Sequence, residues 1–252
     1  MNSDAYNRFV RAVMRGKLST PRGQTVNMQL NETLYYTPMA VMNRVGGNPA
    51  IGMIEGLQFL AGNFNVDAIK RVAPHARLDL FGKQSAYGLR VGNQFHKIIE
   101  ELSKDPWSRR AVLHISNQDD EPGDTPCTVF MQFQLMETSE GRSLASTAFM
   151  RSSDIIWGLP YDMIQFSIVT TAIARCLQAK VGPCAISTAN AHYYRNAVYT
   201  SVVFEDAGWI DLPLWPEGRA TDIDAYQHWA AEMVEAVQNR EDLYTALSYT
   251  KP

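Results

Sequence analysis

Apolar residues fall at helical spacing in several stretches of the chain and gather into short runs between them. Tyr6, Phe9, Val10, Val13 and Met14 recur on one helix face, after Asp4 and before Gly16, which can end the helix. Asn48-Pro49 offers a cap and a first-position proline for a second helix through 51-IGMIEGLQFLAG-62. Phe95, Ile98, Ile99 and Leu102 line a third helix over 94–104, and 223–238 reads as a late amphipathic helix. Segments 111–116, 127–136, 144–150 and 184–194 read as strands, with a long apolar helix over 161–180. The stretch 19-STPRGQTV-26 reads as an exposed turn. Helices thus flank strands that tight hairpins cannot all join, which predicts an α+β fold in one domain over 1–252.

Composition narrows the function classes. Apolar residues make up 46% and charged residues 19%, as in an ordinary globular protein. A formal net charge of −3 argues against a general nucleic-acid coat or a polybasic membrane anchor, while leaving room for one anion held by local arginines. The N-terminus has no signal-peptide core and no run of 18 apolar residues occurs, so a cytoplasmic protein without membrane contact is expected. Cys127, Cys176 and Cys184 form no CxxC pair and no metal spacing. Reduced thiols and no metal are expected.

Four kinds of residue carry candidate chemistry. Cys127 follows Pro126 at a strand start, where a nucleophile would be reachable; a free cysteine is also commonly an inert core thiol. Its activation would need positive charge nearby. Glu55 falls on or beside the buried face of its helix, either as a general acid/base with a shifted pKa or as a glutamate whose stem packs there. Arg22, Arg109 and Arg151 sit beside Ser, Pro or Gly, with Arg110 next to Arg109, and four guanidinium groups could grip a dianionic phosphate or simply be solvated. Asp162 lies two residues after Pro160 in an apolar segment. The local reading is a first-turn carboxylate at the positive end of a helix dipole.

These pieces occur in a recognisable order: PRGQT, EGLQFLAGN, YGLR, DPWSRRAV, TPCTVFMQFQL, MRSSDIIWGLPYDM and ANAHYYRN. From about residue 20 to about residue 200 the chain resembles the thymidylate synthase family. The resemblance implies an α+β fold with a mixed sheet flanked by helices, in a two-fold dimer through the sheet. It implies that Cys127 attacks C6 of a pyrimidine nucleotide, with Glu55 organising water and proton transfer and Tyr87 in the surrounding hydrogen-bond network. Arg22, Arg151 and Ser152 would hold the 5′-phosphate, joined by Arg109 and Arg110 from the partner subunit. His192 and Tyr194 would bind the deoxyribose. Asp154 would contact the pterin of methylenetetrahydrofolate, the implied co-substrate. Trp157 and Trp107 are candidate shielding aromatics, and Trp157 reads equally as a core residue.

Departures from the family pattern point to the substrate. The family's usual asparagine after Gly-Leu-Pro-Phe is Asp162 here. Asparagine can donate to O4 of uracil while accepting from N3–H, whereas an ionised aspartate only accepts and suits the 4-amino group of cytosine and a protonated N3. Thr128 stands where synthases have histidine, Met150 where many have glutamine, and Asn190 where aspartate is common. Asp162, Thr128 and Met150 together resemble the deoxycytidylate hydroxymethylases of T-even phages and their relatives. The implied reaction joins dCMP, methylenetetrahydrofolate and water into 5-hydroxymethyl-dCMP and tetrahydrofolate through a Cys127–C6 adduct. A C5-methyltransferase giving 5-methyl-dCMP and dihydrofolate is the alternative. A thymidylate synthase acting on dUMP, a CMP hydroxymethylase and an idle nucleotide-binding relative stand behind these. The tail DLYTALSYTKP matches no pattern with a readable role.

Overall fold

The structure, a computed structural model, describes residues 2–38, 40–44, 48–74, 81–82, 85–195, 204–209 and 222–239. In chain order the elements are α1 (Asn2–Met14), β1 (Lys17–Ser19), β2 (Val26–Tyr36), β3 (Ala40–Arg44), α2 (Pro49–Ala61), α3 (Val66–Val72) and α4 (Gln94–Lys104). There follow β4 (Val112–His114), β5 (Thr128–Thr138), β6 (Gly141–Met150), β7 (Ser153–Asp154), α5 (Leu159–Cys176), β8 (Lys180–Tyr194), β9 (Phe204–Trp209) and α6 (Ile223–Gln238). The main sheet runs β1-β2-β8-β6-β5-β4, with β7 also paired to β8, while β3 and β9 form a separate ribbon. The architecture is a mixed sheet flanked by helices, of the α+β class.

Strand direction decides what meets at the sheet's end. β6 and β8 run parallel, so α5 has to carry the chain back between them. β5 is antiparallel to β6, and β2 is antiparallel to β8. The ends of β6 and β8 and the starts of β5 and β2 therefore lie along one edge of the sheet. Four segments far apart in sequence converge there: Arg22, Cys127, Arg151 and the His192–Tyr194 strand end.

Local chemistry explains the helices that deliver the remaining groups. Asn48 caps α2, its Oδ1 accepting from the Ala50 N–H at 3.1 Å, and Gly62 ends the helix in the left-handed region at φ 71°. α5 is buried from Leu159 to Ala174. Its hydroxyls return to the helix itself, Ser167 to the Met163 carbonyl at 2.6 Å and Thr171 to the Ser167 carbonyl at 2.7 Å. α2 packs directly on α5. A Cβ built at Gly56 would lie 2.5 Å from Ile168 Cδ1 and 2.9 Å from Gln165 Cα, closer than packed atoms allow.

Several predicted bounds move. α1 starts at Asn2 rather than after Asp4, and Met14, expected on the buried face, is 43% exposed. α5 covers Leu159–Cys176 rather than 161–180. Gln178 turns at φ 54° and the Ala179 N–H closes on the Ala174 carbonyl at 2.8 Å, because the chain must enter β8 at Lys180 beside Ser143 of β6. The sequence reading did not include β2: Glu32 breaks the apolar phase of Val26, Met28, Leu30, Leu34 and Tyr36 midway along it, and Asn31 beside it stands at φ 57°. The helices over 49–61, 94–104 and 223–238 match the sequence reading. The tail 240–252 and Asn196 of ANAHYYRN lie outside the described residues.

The Gly56 contact yields a test. Gly56→Ala should destabilise the fold by about 1–3 kcal/mol through overpacking, read as a lowered thermal midpoint. An unchanged midpoint would mean the two helices can part without cost.

Candidate active site

Cys127 occupies the last position before β5, and the Arg151 N–H donates to its carbonyl at 2.8 Å. A register shift between Thr128 and Phe130 bends β5 just beyond it. Arg151 reaches back across the same junction: Nε donates to the Pro126 carbonyl at 3.0 Å and Nη2 to the Thr125 carbonyl at 2.7 Å. The guanidinium thereby pins the segment that presents the thiol. Burial pushes the Cys127 thiol up, Arg151 pulls it down, Asp162 raises it, Arg22 lowers it and Asp154 raises it. Burial wins, so in the single chain Cys127 favours the protonated thiol.

A contiguous polar strip continues along the edge. Arg22 sits in a left-handed turn at φ 50° and donates through Nη2 to the Tyr194 hydroxyl at 3.2 Å. The His192 and Tyr194 rings meet edge to face at 5.0 Å. Ser152 Oγ lies 3.3 Å from His192 Nδ1. The β7–β8 register sets Asp154 opposite His192, and Asp154 Oδ1 accepts from the N–H groups of Ile156 and Trp157 at 2.8 and 3.0 Å. Burial holds the His192 imidazole below its ordinary range, against the pull of Asp154. Trp157 is 42% exposed and so is not a core residue.

Two carboxyls lie deeper. Asp162, in the first turn of α5, is 7% exposed and sits at about 7, raised by burial, pulled back by a hydrogen bond from Gln165, and raised again by Asp154. Glu55 on α2 is pushed up to about 8, by burial first and by Asp162 second. Both therefore hold or exchange a proton near neutral pH, the range in which general acid/base groups work. Tyr87 is buried, and its hydroxyl accepts from Thr128 Oγ1 at 3.0 Å and from the Thr128 N–H at 3.4 Å. Glu55, Gln58, Asn63, Tyr87 and Gln165 line a cleft of about 10 Å³, room for about one water.

Arg109 and Arg110 stand apart from this cluster. Both are exposed, Arg110 Nε is bonded to Glu101 at 2.9 Å, and the arginines acting on Cys127 are Arg151 and Arg22. A larger open groove of about 630 Å³ runs past Arg90, Gln94, His114 and Asp120 and contains none of the predicted site residues. Gln165 was missed in the sequence. The available signal was a second polar residue, three positions after Asp162, inside an otherwise apolar helix. Among the described residues, no cluster of three or more His, Cys, Asp or Glu could hold a metal ion, and no helix is long and apolar enough to cross a membrane.

Glu55 carries a stability signature. Its folded pKa lies above the ordinary 4.5, so the native state keeps a proton that the unfolded chain has lost between about 4.5 and 8. Stability from this group is fully present below that window and is lost as pH rises through it. Glu55→Gln should therefore melt above the parent protein at pH 8, by on the order of 1–3 kcal/mol given its partial exposure. The gain should shrink towards pH 4.5; thermal melts across this range check it.

The thymidylate synthase family model matches residues 74–203, just over half of the chain. That span holds Tyr87, Cys127, Arg151, Asp154, Asp162 and His192, while Arg22 and Glu55 lie outside it. With fold, clustered side chains and sequence match in agreement, the chain belongs to the thymidylate synthase family, whose chemistry is folate-dependent one-carbon transfer to a pyrimidine nucleotide.

Proposed function

We propose that this chain hydroxymethylates C5 of dCMP, using methylenetetrahydrofolate and water. The observation that carries the reading is Asp162, a buried carboxyl at the first turn of α5 whose charge acts on both Cys127 and Glu55. Presenting acceptors, it takes the 4-amino hydrogen of cytosine and a proton held at N3. Facing uracil, one oxygen would oppose O4 and leave buried polar groups unpaired, a loss of about 1–3 kcal/mol per group.

Arg22, Arg151 and Ser152 hold the 5′-phosphate, and His192 and Tyr194 the deoxyribose. Their hydrogen-bonded succession along the sheet edge supports this order. Cys127 adds to C6, which makes C5 nucleophilic and divides a difficult substitution into easier steps. The thiol has to lose its proton against burial, and Arg109 and Arg110 of a second copy supply the positive charge that a single chain lacks there. Half-buried apolar side chains on the open face of the sheet, Phe130 stacked on Phe149 with ring centroids 4.4 Å apart, support a two-fold dimer through that face.

The co-substrate supplies the one-carbon unit when bound, and Asp154 and the exposed Trp157 would hold it. Glu55, lining a cleft the size of one water, orients the water that ends on the new carbon and moves its proton. Once the C5 proton has left, expulsion of the Cys127 thiolate from C6 re-forms the C5–C6 double bond and releases 5-hydroxymethyl-dCMP.

Incubation with methylenetetrahydrofolate and dCMP should add one CH₂O unit, read by mass spectrometry, with tetrahydrofolate released. A CH₂ gain with dihydrofolate would instead establish the methyltransferase. Asp162→Asn should move the kcat/KM preference from dCMP towards dUMP by about tenfold or more; an unchanged ratio would remove Asp162 as the base reader.

A further inference from the structure

Asp162 shares its helix turn with a second buried polar residue to which the reading above gives no role. Gln165, 4% exposed, donates through Nε2 to Asp162 Oδ1 at 2.8 Å. Facing a carboxylate, which only accepts, an amide has to present its nitrogen. Gln165 also has little freedom to withdraw, because α2 presses on its backbone at Gly56. The other carboxylate oxygen, Oδ2, lies on the side of Gly158, 3.5 Å from a Cβ built there. One oxygen of the pair is therefore held by the protein, and the carboxyl plane is set before any ligand arrives.

We propose that Gln165 is a positioning residue for the base-reading carboxyl: its amide fixes the orientation of Asp162 and, by donating to it, favours the charged, accepting form. This rests on the reading of Asp162 as a base contact. Among the described residues, the titratable groups coupled to Asp162 are Tyr36 of β2, Glu55 of α2, Tyr87, Cys127 and Asp154 of β7. None of them stabilises a negative charge there. Burial and Asp154 both drive the carboxyl towards its neutral form, and the Gln165 hydrogen bond is the influence that opposes them.

The consequence is measurable as a proton count. A carboxyl paired with the N3 edge of cytosine holds one proton between them, so nucleotide binding takes up a proton wherever Asp162 of the free protein is ionised. The test is calorimetric titration of dCMP into the full-length Cys127→Ser protein, which lacks the thiol. Buffers of differing ionisation heat give the proton uptake, measured above about pH 6.5 to stay clear of the phosphate's second ionisation. Uptake should set in around 7, where Asp162 titrates. In Gln165→Met the onset should move up by about one pH unit, the worth of a hydrogen bond to a charged group. Gln165→Glu, which sets a second carboxyl against the first, should move it the same way and serves if the methionine variant does not fold.

An onset unchanged in the variants, with binding weakened equally at every pH, would reduce Gln165 to packing and overturn the proposal. Asp162→Asn separates the two ideas. Loss of proton uptake in that variant upholds Asp162 as the base contact whatever Gln165 does. Uptake that persists unchanged in Asp162→Asn would sink the Asp162 reading itself.

Discussion

The parallel pairing of β6 with β8 is the constraint on which the rest of the molecule depends. Two parallel neighbours cannot be joined by a hairpin, so the chain must leave the end of β6, cross the sheet and re-enter at the start of β8. α5 is that crossing, and its first turn has to lie at the edge where β6 ends. Asp162 is carried there by topology. Cys127 is brought to the same edge from the other side, because β5 is antiparallel to β6 and begins where β6 finishes. A slip of one residue in either ladder would turn each side chain to the opposite face and dissolve the cluster.

Energetically the cluster works against the fold that builds it. Glu55, Asp162 and Asp154 crowd three carboxyls into a partly dry region, and the first two are raised as a result. A protein tolerates such groups when the remaining core is well packed, and α5, buried along almost its whole length against α2 and the sheet, supplies that packing. The glycines of α2 are part of the same solution. They let two helices approach closely enough for Glu55 and Gln165 to line one cleft. The acid/base character of the site is thus a property of helix packing as much as of residue type.

The arginines divide by structural role. Arg151 binds the carbonyls of Pro126 and Thr125 through Nε and Nη2 and so stiffens the approach to Cys127. Arg22 is displayed from a left-handed turn and tied to Tyr194. Both act on the thiol without overcoming burial. In the proposed dimer, Arg109 and Arg110 of a second copy would add the positive charge that these two do not supply.

Much of this was legible in the residues. The apolar spacing of 94–104 and 223–238, the Asn48-Pro49 cap and Gly62 mark their helices because capping and amphipathic periodicity are local effects. Cys127 after Pro126 and Asp162 after Pro160 stand out by chemical type against their neighbours. β2 was hidden by Glu32, which breaks the apolar phase between Leu30 and Leu34, and the end of α5 by an apolar run that continues past the helix into the turn before β8. Helical spacing cannot reveal which residues face one another across a sheet, nor how dry a carboxyl will be. The sequence by itself determined the helices, the family pattern and the candidate groups. Only the tertiary structure decided that Glu55 and Asp162 share one low-dielectric neighbourhood and that Gln165 holds the latter, because desolvation and hydrogen-bond geometry arise from contacts between segments distant in the chain.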